Sequence, residues 1–220
     1  MQKRSLIERI LHRVDEKTRP VLAPLRRRRL NNTDFTIISN NCWGGVCYGY
    51  YGLEKLSPTV GMYFFADDYV KFVSDLHRYL STPMRIITAE ESYHAEVLKS
   101  KGQLDIPVGI IGDVEVVFLH YKDPVIAKQT WDRRVARVNW DNLIIKFSYM
   151  NDCTDEDIIK FSQYVKQYHA KTLCFLPREI HGVHNGIVIP SLPDGQIGDD
   201  TFYWNRYIDV EKLINEGHIK

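Results

Sequence analysis

No stretch of the chain approaches the roughly 20 consecutive apolar residues that a bilayer-spanning helix needs, and its basic start lacks the apolar core of a secretion signal. A cytoplasmic protein is the expectation. Neither sign of charge is in surplus: 29 Lys and Arg stand against 28 Asp and Glu, a formal net charge of +1. That balance excludes a whole-surface nucleic-acid binder, which needs a basic excess. Cysteine is scarce, and Cys42, Cys47, Cys153 and Cys174 match no paired zinc spacing, so they read as reduced thiols. Internal repeats, low-complexity tracts and a Gly-x-Ser-x-Gly nucleophile elbow are also missing.

What is present suffices for one sizeable core: 220 residues, 44% of them hydrophobic, suit a single domain. Strand and helix patterns alternate from Phe35 onwards, which favours α/β layers. The expected architecture is a single three-layer α/β/α domain with a mixed sheet over residues 34–220. Residues 1–33 precede it as a basic amphipathic helix and linker. There, Leu6, Ile7, Ile10, Leu11 and Val14 share a face, Lys3, Arg4, Arg9, Arg13 and Lys17 occupy much of the rest, and Arg26 to Arg29 form an unrelieved positive run. Pro20 and Pro24 are expected to end the helix. One reading of residues 1–30 is peripheral contact with an anionic membrane, at the inner face; the competing one is a solvated helix packed on the domain, or half of a dimer contact.

The rest of the chain is organised around Ser39-Asn40-Asn41-Cys42-Trp43-Gly44-Gly45, which follows the apolar run Phe35-Thr36-Ile37-Ile38. A β-branched run breaking into amides, a thiol, an indole and two glycines reads as a buried strand ending in a tight polar loop. In open α/β sheets, ligands bind beyond the carboxyl ends of strands. Tyr48 to Leu53 reads as an irregular glycine–tyrosine segment. Asp67 or Asp68 is expected to cap a helix carrying Tyr69, Phe72, Val73, Leu76 and Leu80. Val108 to Tyr121, with a break near Gly112-Asp113, reads as a central strand delivering His120, Tyr121 and Lys122 to a second site-forming loop.

Further on, Ala127, Trp131, Val135 and Val138 mark a helical stripe, leaving Arg133, Arg134 and Arg137 as a bidentate cradle for phosphate or carboxylate, or as ordinary surface charges. Leu143 to Phe147 and Thr172 to Leu176 read as strands, and Thr154 as the cap of a helix beginning Asp155-Glu156-Asp157. His181-Gly182-Val183-His184 offers two imidazoles without a well-spaced third ligand. No metal site is therefore expected; the pair reads as structural or as substrate contact, with His184 the candidate for the latter.

The order of these features resembles the DUF1919 family. The resemblance is carried by Ser39 to Gly45, Leu56-Ser57-Pro58-Thr59-Val60-Gly61, Asp68-Tyr69 with Lys71-Phe72, Phe118-Leu119-His120-Tyr121, and Trp131-Asp132-Arg133-Arg134 with Arg137 and Asn139. It covers roughly residues 34 to 210. It implies a three-layer α/β/α fold and a role in bacterial exopolysaccharide or capsule biosynthesis, sometimes described as acetyl transfer. On that footing the leading expectation is an acyltransferase acting on a hydroxyl of a saccharide or lipid-linked saccharide, with acetyl-coenzyme A as a candidate donor. Cys42 or Ser39 would be the nucleophile, or His120 would deprotonate the hydroxyl, while N–H groups near Gly44 and Gly45 face developing negative charge. Asn40, Asn41, Trp43, Tyr69, Tyr121, Lys122, Trp131 and Asn139 complete the expected substrate contacts. The alternatives are a glycosyltransferase-like enzyme, with the three arginines holding a nucleotide sugar and Asp68 or His120 activating the acceptor, and a non-catalytic carbohydrate-binding protein. Oligomeric state is not legible.

Overall fold

In the computed structural model, which describes residues 6–183, 186–202 and 204–217 and only the backbone of residues 6–12 and 15, the apolar runs become strands. In chain order the elements are α1 (Leu6–Arg27), β1 (Thr36–Ser39), α2 (Trp43–Tyr51), α3 (Ala66–Ser74), α4 (Leu76–Ser81), β2 (Arg85–Ile87), α5 (Ala95–Ser100), β3 (Val108–Ile111), β4 (Val114–Val117), α6 (Pro124–Val135), β5 (Leu143–Ser148), α7 (Asp155–Tyr164), β6 (Ala170–Leu176), β7 (Gly186–Val188) and α8 (Val210–Glu216). Strands β1-β5-β6-β7 pair in that order, all parallel, with Ile37 opposite Ile144 and Ile144 opposite Lys171. Every residue of β1 and β5 is buried, as expected of parallel strands covered on both faces.

Partners in a parallel ladder share a face, so the register sorts the layers. Ile37, Ser39, Ile144, Lys146 and Lys171 face α2 and α8: Gly44 lies against Ile37, and the Lys171 ammonium donates to the Ile214 carbonyl. Helix α1 packs outside α2. On the other face, the Tyr69 ring of α3 meets Phe147 of β5 and Phe161 of α7, at 5.0 and 6.1 Å. The Tyr69 hydroxyl donates to the carbonyls of Ile38 and Lys146, at 3.0 and 2.9 Å.

The fold is α/β as expected, but parallel and antiparallel pairing are divided between two sheets. Residues 108–117 are a hairpin, not one central strand of the main sheet; β2-β3-β4 form a separate antiparallel sheet. Gly112, at φ 63°, makes the turn the sequence marked as a break. The two sheets meet along residues 61–66, where Tyr63 bridges Val117 and the Phe64 N–H donates to the Asn40 carbonyl.

Three local expectations change. Pro20 and Pro24 lie inside α1 on its exposed side, and the helix continues past both. Residues 43–51 are helix, not loop and irregular segment. Their glycines serve approach: a Cβ on Gly44 would sit 3.0 Å from Ile37, and one on Gly45 2.9 Å from Val60. Phe65, not an aspartate, is the N-cap of α3, because Asp68 is committed elsewhere. Thr154 does cap α7, reciprocally with Asp157.

Packing at the second sheet is close enough to test. A Cβ on Gly109 would lie 2.7 Å from Met84 Sδ and 2.8 Å from Phe118. Gly109→Ala should therefore cost about 1–3 kcal/mol from overpacking, read as a lower urea midpoint at unchanged denaturant slope.

Candidate functional site

The first polar cluster forms where β1 and β5 end. The Asn40 side chain continues the ladder in place of backbone: its amide donates to the Ser148 carbonyl at 3.0 Å and its carbonyl accepts from the Ser148 N–H at 3.1 Å. Asn41 then joins everything around it. Its Oδ1 accepts from the Ser39 hydroxyl, the Trp43 N–H and the Lys146 ammonium, and its Nδ2 donates to Asp200 Oδ1 at 2.6 Å. Lys146 Nζ reaches Asp200 Oδ2 at 2.5 Å, with both side chains out of solvent (0 and 2% exposed); Ser148 Oγ donates to the same oxygen. Burial pulls the Lys146 ammonium below its usual value, and Asp200 opposes that shift.

Beside this network, Cys42 is half-buried at the start of α2. Burial, with the charges of Asp199 and Asp200, pushes its thiol up to about 11. At neutral pH it is a thiol and a poor nucleophile. Cys47, Cys153 and Cys174 are buried, and burial raises them too. The Gly61 backbone lies against the Cys42 sulfur, and the Gly61 carbonyl accepts from the His120 N–H at 3.0 Å. His120 itself is exposed on a turn after β4. Tyr121 packs over Gly61, and Arg134 Nη1 donates to the Val60 carbonyl and the Tyr121 hydroxyl, at 2.7 and 3.0 Å.

The second cluster lies at the far end of the same seam. Asp68 Oδ1 accepts from the Glu115 N–H at 3.0 Å, and its Oδ2 lies 2.7 Å from His94 Nε2. A carboxylate only accepts, so Nε2 carries the proton and Nδ1 is the imidazole's acceptor. The ring stacks on Phe65 at 3.7 Å. Burial lowers the His94 pKa, but the hydrogen bond and charge of Asp68, with Asp67 and Glu115, outweigh it and hold the pKa above 6.5. Buried Glu115 accepts from the Ser92 hydroxyl and the Tyr93 N–H. Asp67, Asp68 and His94 also bring ligand atoms within 4.8 Å of one another, the one such grouping among the described residues.

The structure thus gathers Ser39, Asn40, Asn41, Cys42, Trp43, Gly44 and Gly45 at one edge, with His120 and Tyr121 reaching it through Gly61. Other expected contacts are elsewhere. Arg134 is spent inside the protein, Arg137 pairs with Glu54, and Arg133 and Lys122 are exposed, so no arginine cradle assembles. Trp131 is core, against Phe72. Asn139 receives Thr36 Oγ1 on its N–H and donates to the Asp34 carbonyl, at the amino end of β1. Tyr69 is a buried structural donor, and His184 lies outside the described residues. Sequence reasoning missed Lys146, Ser148 and Asp200, although a lysine inside Leu-Ile-Ile-Lys-Phe signals a buried partner. It also missed His94, whose surroundings carry no such signal.

The sequence matches the family described as "Domain of unknown function (DUF1919)" over residues 14–215. The chain belongs to the DUF1919 family. The match begins inside α1, earlier than residue 34, so much of the basic helix lies within the region matched to DUF1919. A Haemophilus influenzae protein, named "Uncharacterized protein", is 28% identical to this DUF1919 chain over 156 residues, 71% of the chain and 69% of the relative.

Two outcomes follow from the first cluster. Lys146→Met strands a buried carboxylate and should cost about 3–5 kcal/mol; adding Asp200→Asn should recover part of that in a urea melt. Cys42 should alkylate with iodoacetamide far more slowly than free cysteine at pH 8, and its rate should rise steeply towards pH 11, measured by mass spectrometry.

Proposed function

We propose that this protein is a transferase of surface-polysaccharide assembly that moves an acyl group onto a sugar hydroxyl, with the Asp68–His94 pair as general base. The observation that carries the reading is the pair's geometry: a buried carboxylate, fixed by the Glu115 N–H, holds one imidazole nitrogen at 2.7 Å and leaves the other to accept a proton. His94 Nδ1 would take the hydroxyl proton as the sugar oxygen bonds to the acyl carbon, and the thiolate of coenzyme A would leave and take up a proton. Cys42, protonated at neutral pH, suits substrate contact better than a covalent intermediate. A saccharide or lipid-linked acceptor would meet the partly exposed His94 from the solvent side, since residues 61–66 behind it are buried.

Acetyl-coenzyme A should raise the melting temperature, by about 2.7 kcal/mol of stabilisation at 100 times its dissociation constant, and nucleotide sugars should not. His94→Gln should keep that shift yet lose about 10²–10⁴-fold in transfer, with Cys42→Ser close to wild type. Transfer should rise with pH through an imidazole pKa above 6.5. The stability from the His94–Asp68 pair runs the other way: it is present below pH 6.5 and is lost as pH rises through the folded pKa. His94→Gln should flatten that slope. Unchanged transfer in His94→Gln, or stabilisation by a nucleotide sugar, overturns the reading.

A further inference from the structure

Helix α1 presents to solvent a face that a soluble helix rarely carries. Its inner face is set by three contacts with α2 and the glycine that ends it: Arg19 against Gly49, Ala23 against Gly52, and the Arg26 guanidinium 3.9 Å above the Tyr50 ring. These residues recur at i, i+4 and i+7. Opposite them, within a sector of about 80° at 100° per residue, lie Val14, Lys17, Val21, Leu25 and Arg28. All five are exposed, with Val14, Val21 and Leu25 at 52, 74 and 56%. Three aliphatic side chains on the outermost line of a helix bring no stability to the folded monomer.

Charge points to what covers them. The first 30 residues hold ten basic and three acidic residues, a formal +7, in a chain whose total is +1, so the remainder is at −6. Exposed Lys17 and Arg28 lie within the same sector and Arg13 beside it, along one flank of the aliphatic line. A second copy would bring two such positive faces together, and three aliphatic side chains fall well short of the roughly 800 Å² per partner of a stable interface. A nucleic acid would leave the aliphatic line in water. No helix among the described residues is long and apolar enough to cross a membrane, so α1 would lie along a surface.

We propose that the outer face of α1 docks on an anionic lipid bilayer, with Val14, Val21 and Leu25 entering the headgroup boundary and Arg13, Lys17 and Arg28 meeting lipid phosphates or carboxylates. The docking stands apart from the transferase reading, since it uses neither polar cluster.

The test is co-sedimentation of the full chain with vesicles of phosphatidylcholine alone or mixed with 30% phosphatidylglycerol. Binding is expected to the mixed vesicles, falling as salt is raised. Each cation near such a surface multiplies partitioning about fivefold, so Arg13→Glu with Lys17→Glu and Arg28→Glu should lower it by at least 100-fold. Val21→Ser with Leu25→Ser should weaken it by tenfold or more at unchanged charge. An unaltered melting temperature in both variants shows that the fold persists, as surface changes on α1 should allow. Equal binding to neutral vesicles, no binding to either, or a lipid-insensitive dimer abolished by Val21→Ser with Leu25→Ser would each overturn the proposal.

Discussion

The ion pair between Lys146 and Asp200 is the constraint around which the carboxyl edge of the sheet is arranged. An ammonium placed in the middle of a strand buried on both faces would cost several kcal/mol if left alone. Here it is matched by a carboxylate that also accepts from Asn41 and Ser148, so each charged oxygen and the ammonium have fixed partners. The attraction does not have to be large to matter. Its effect is specificity: β1, β5 and the segment through Asp200 must be placed correctly together, because any other arrangement leaves a charge unpaired in the interior. Trp43 repeats the linkage a few ångströms on, donating its indole N–H to the Trp204 carbonyl while its ring packs against that of Trp204.

That edge and the Asp68–His94 pair sit at two ends of one short seam, residues 61–66, where the parallel and antiparallel sheets meet. Polar groups concentrate there for a structural reason, since the ladder reaches the junction only at Tyr63 and Val117 and side chains such as Asn40 and Asp68 take up backbone groups beside it. The loop after β5 adds to this with consecutive left-handed residues, Asn151 and Asp152, at φ 57° and 65°. Asparagine and aspartate tolerate that region best among residues with a Cβ, and the Asn151 side chain secures the turn by donating to the Phe64 carbonyl. A junction held this tightly is well suited to present side chains in fixed geometry.

Elements with a strong period or a strong composition were legible from the sequence alone. The all-apolar β1 and β5, the capping box of α7 and the stripe of α6 each follow from local rules. What escaped depends on contacts distant in the chain. The glycines of α2 read as loop residues, because only the packing of that helix on Ile37 and Val60 explains them. Asp68 read as a cap because Glu115 and His94, its true partners, lie 47 and 26 residues away. Arg134 read as a phosphate ligand because nothing local reveals that Val60 and Tyr121 occupy it. The carboxyl-edge loop is legible because short polar residues interrupt an apolar run; the lysine facing it reads as part of a strand, since nothing nearby names Asp200 as its partner.

The distance along the chain between Lys146 and Asp200 also has a consequence for synthesis. Asp200 follows Lys146 by 54 residues, which at about 5–20 residues per second emerge some 3–10 s later. During that interval Lys146 has Asn41 as a partner but no counterion, so covering this face of the sheet waits until the carboxylate arrives. This edge of the domain would therefore close in a late step, and its earlier segments would depend until then on whatever shields an unfinished sheet.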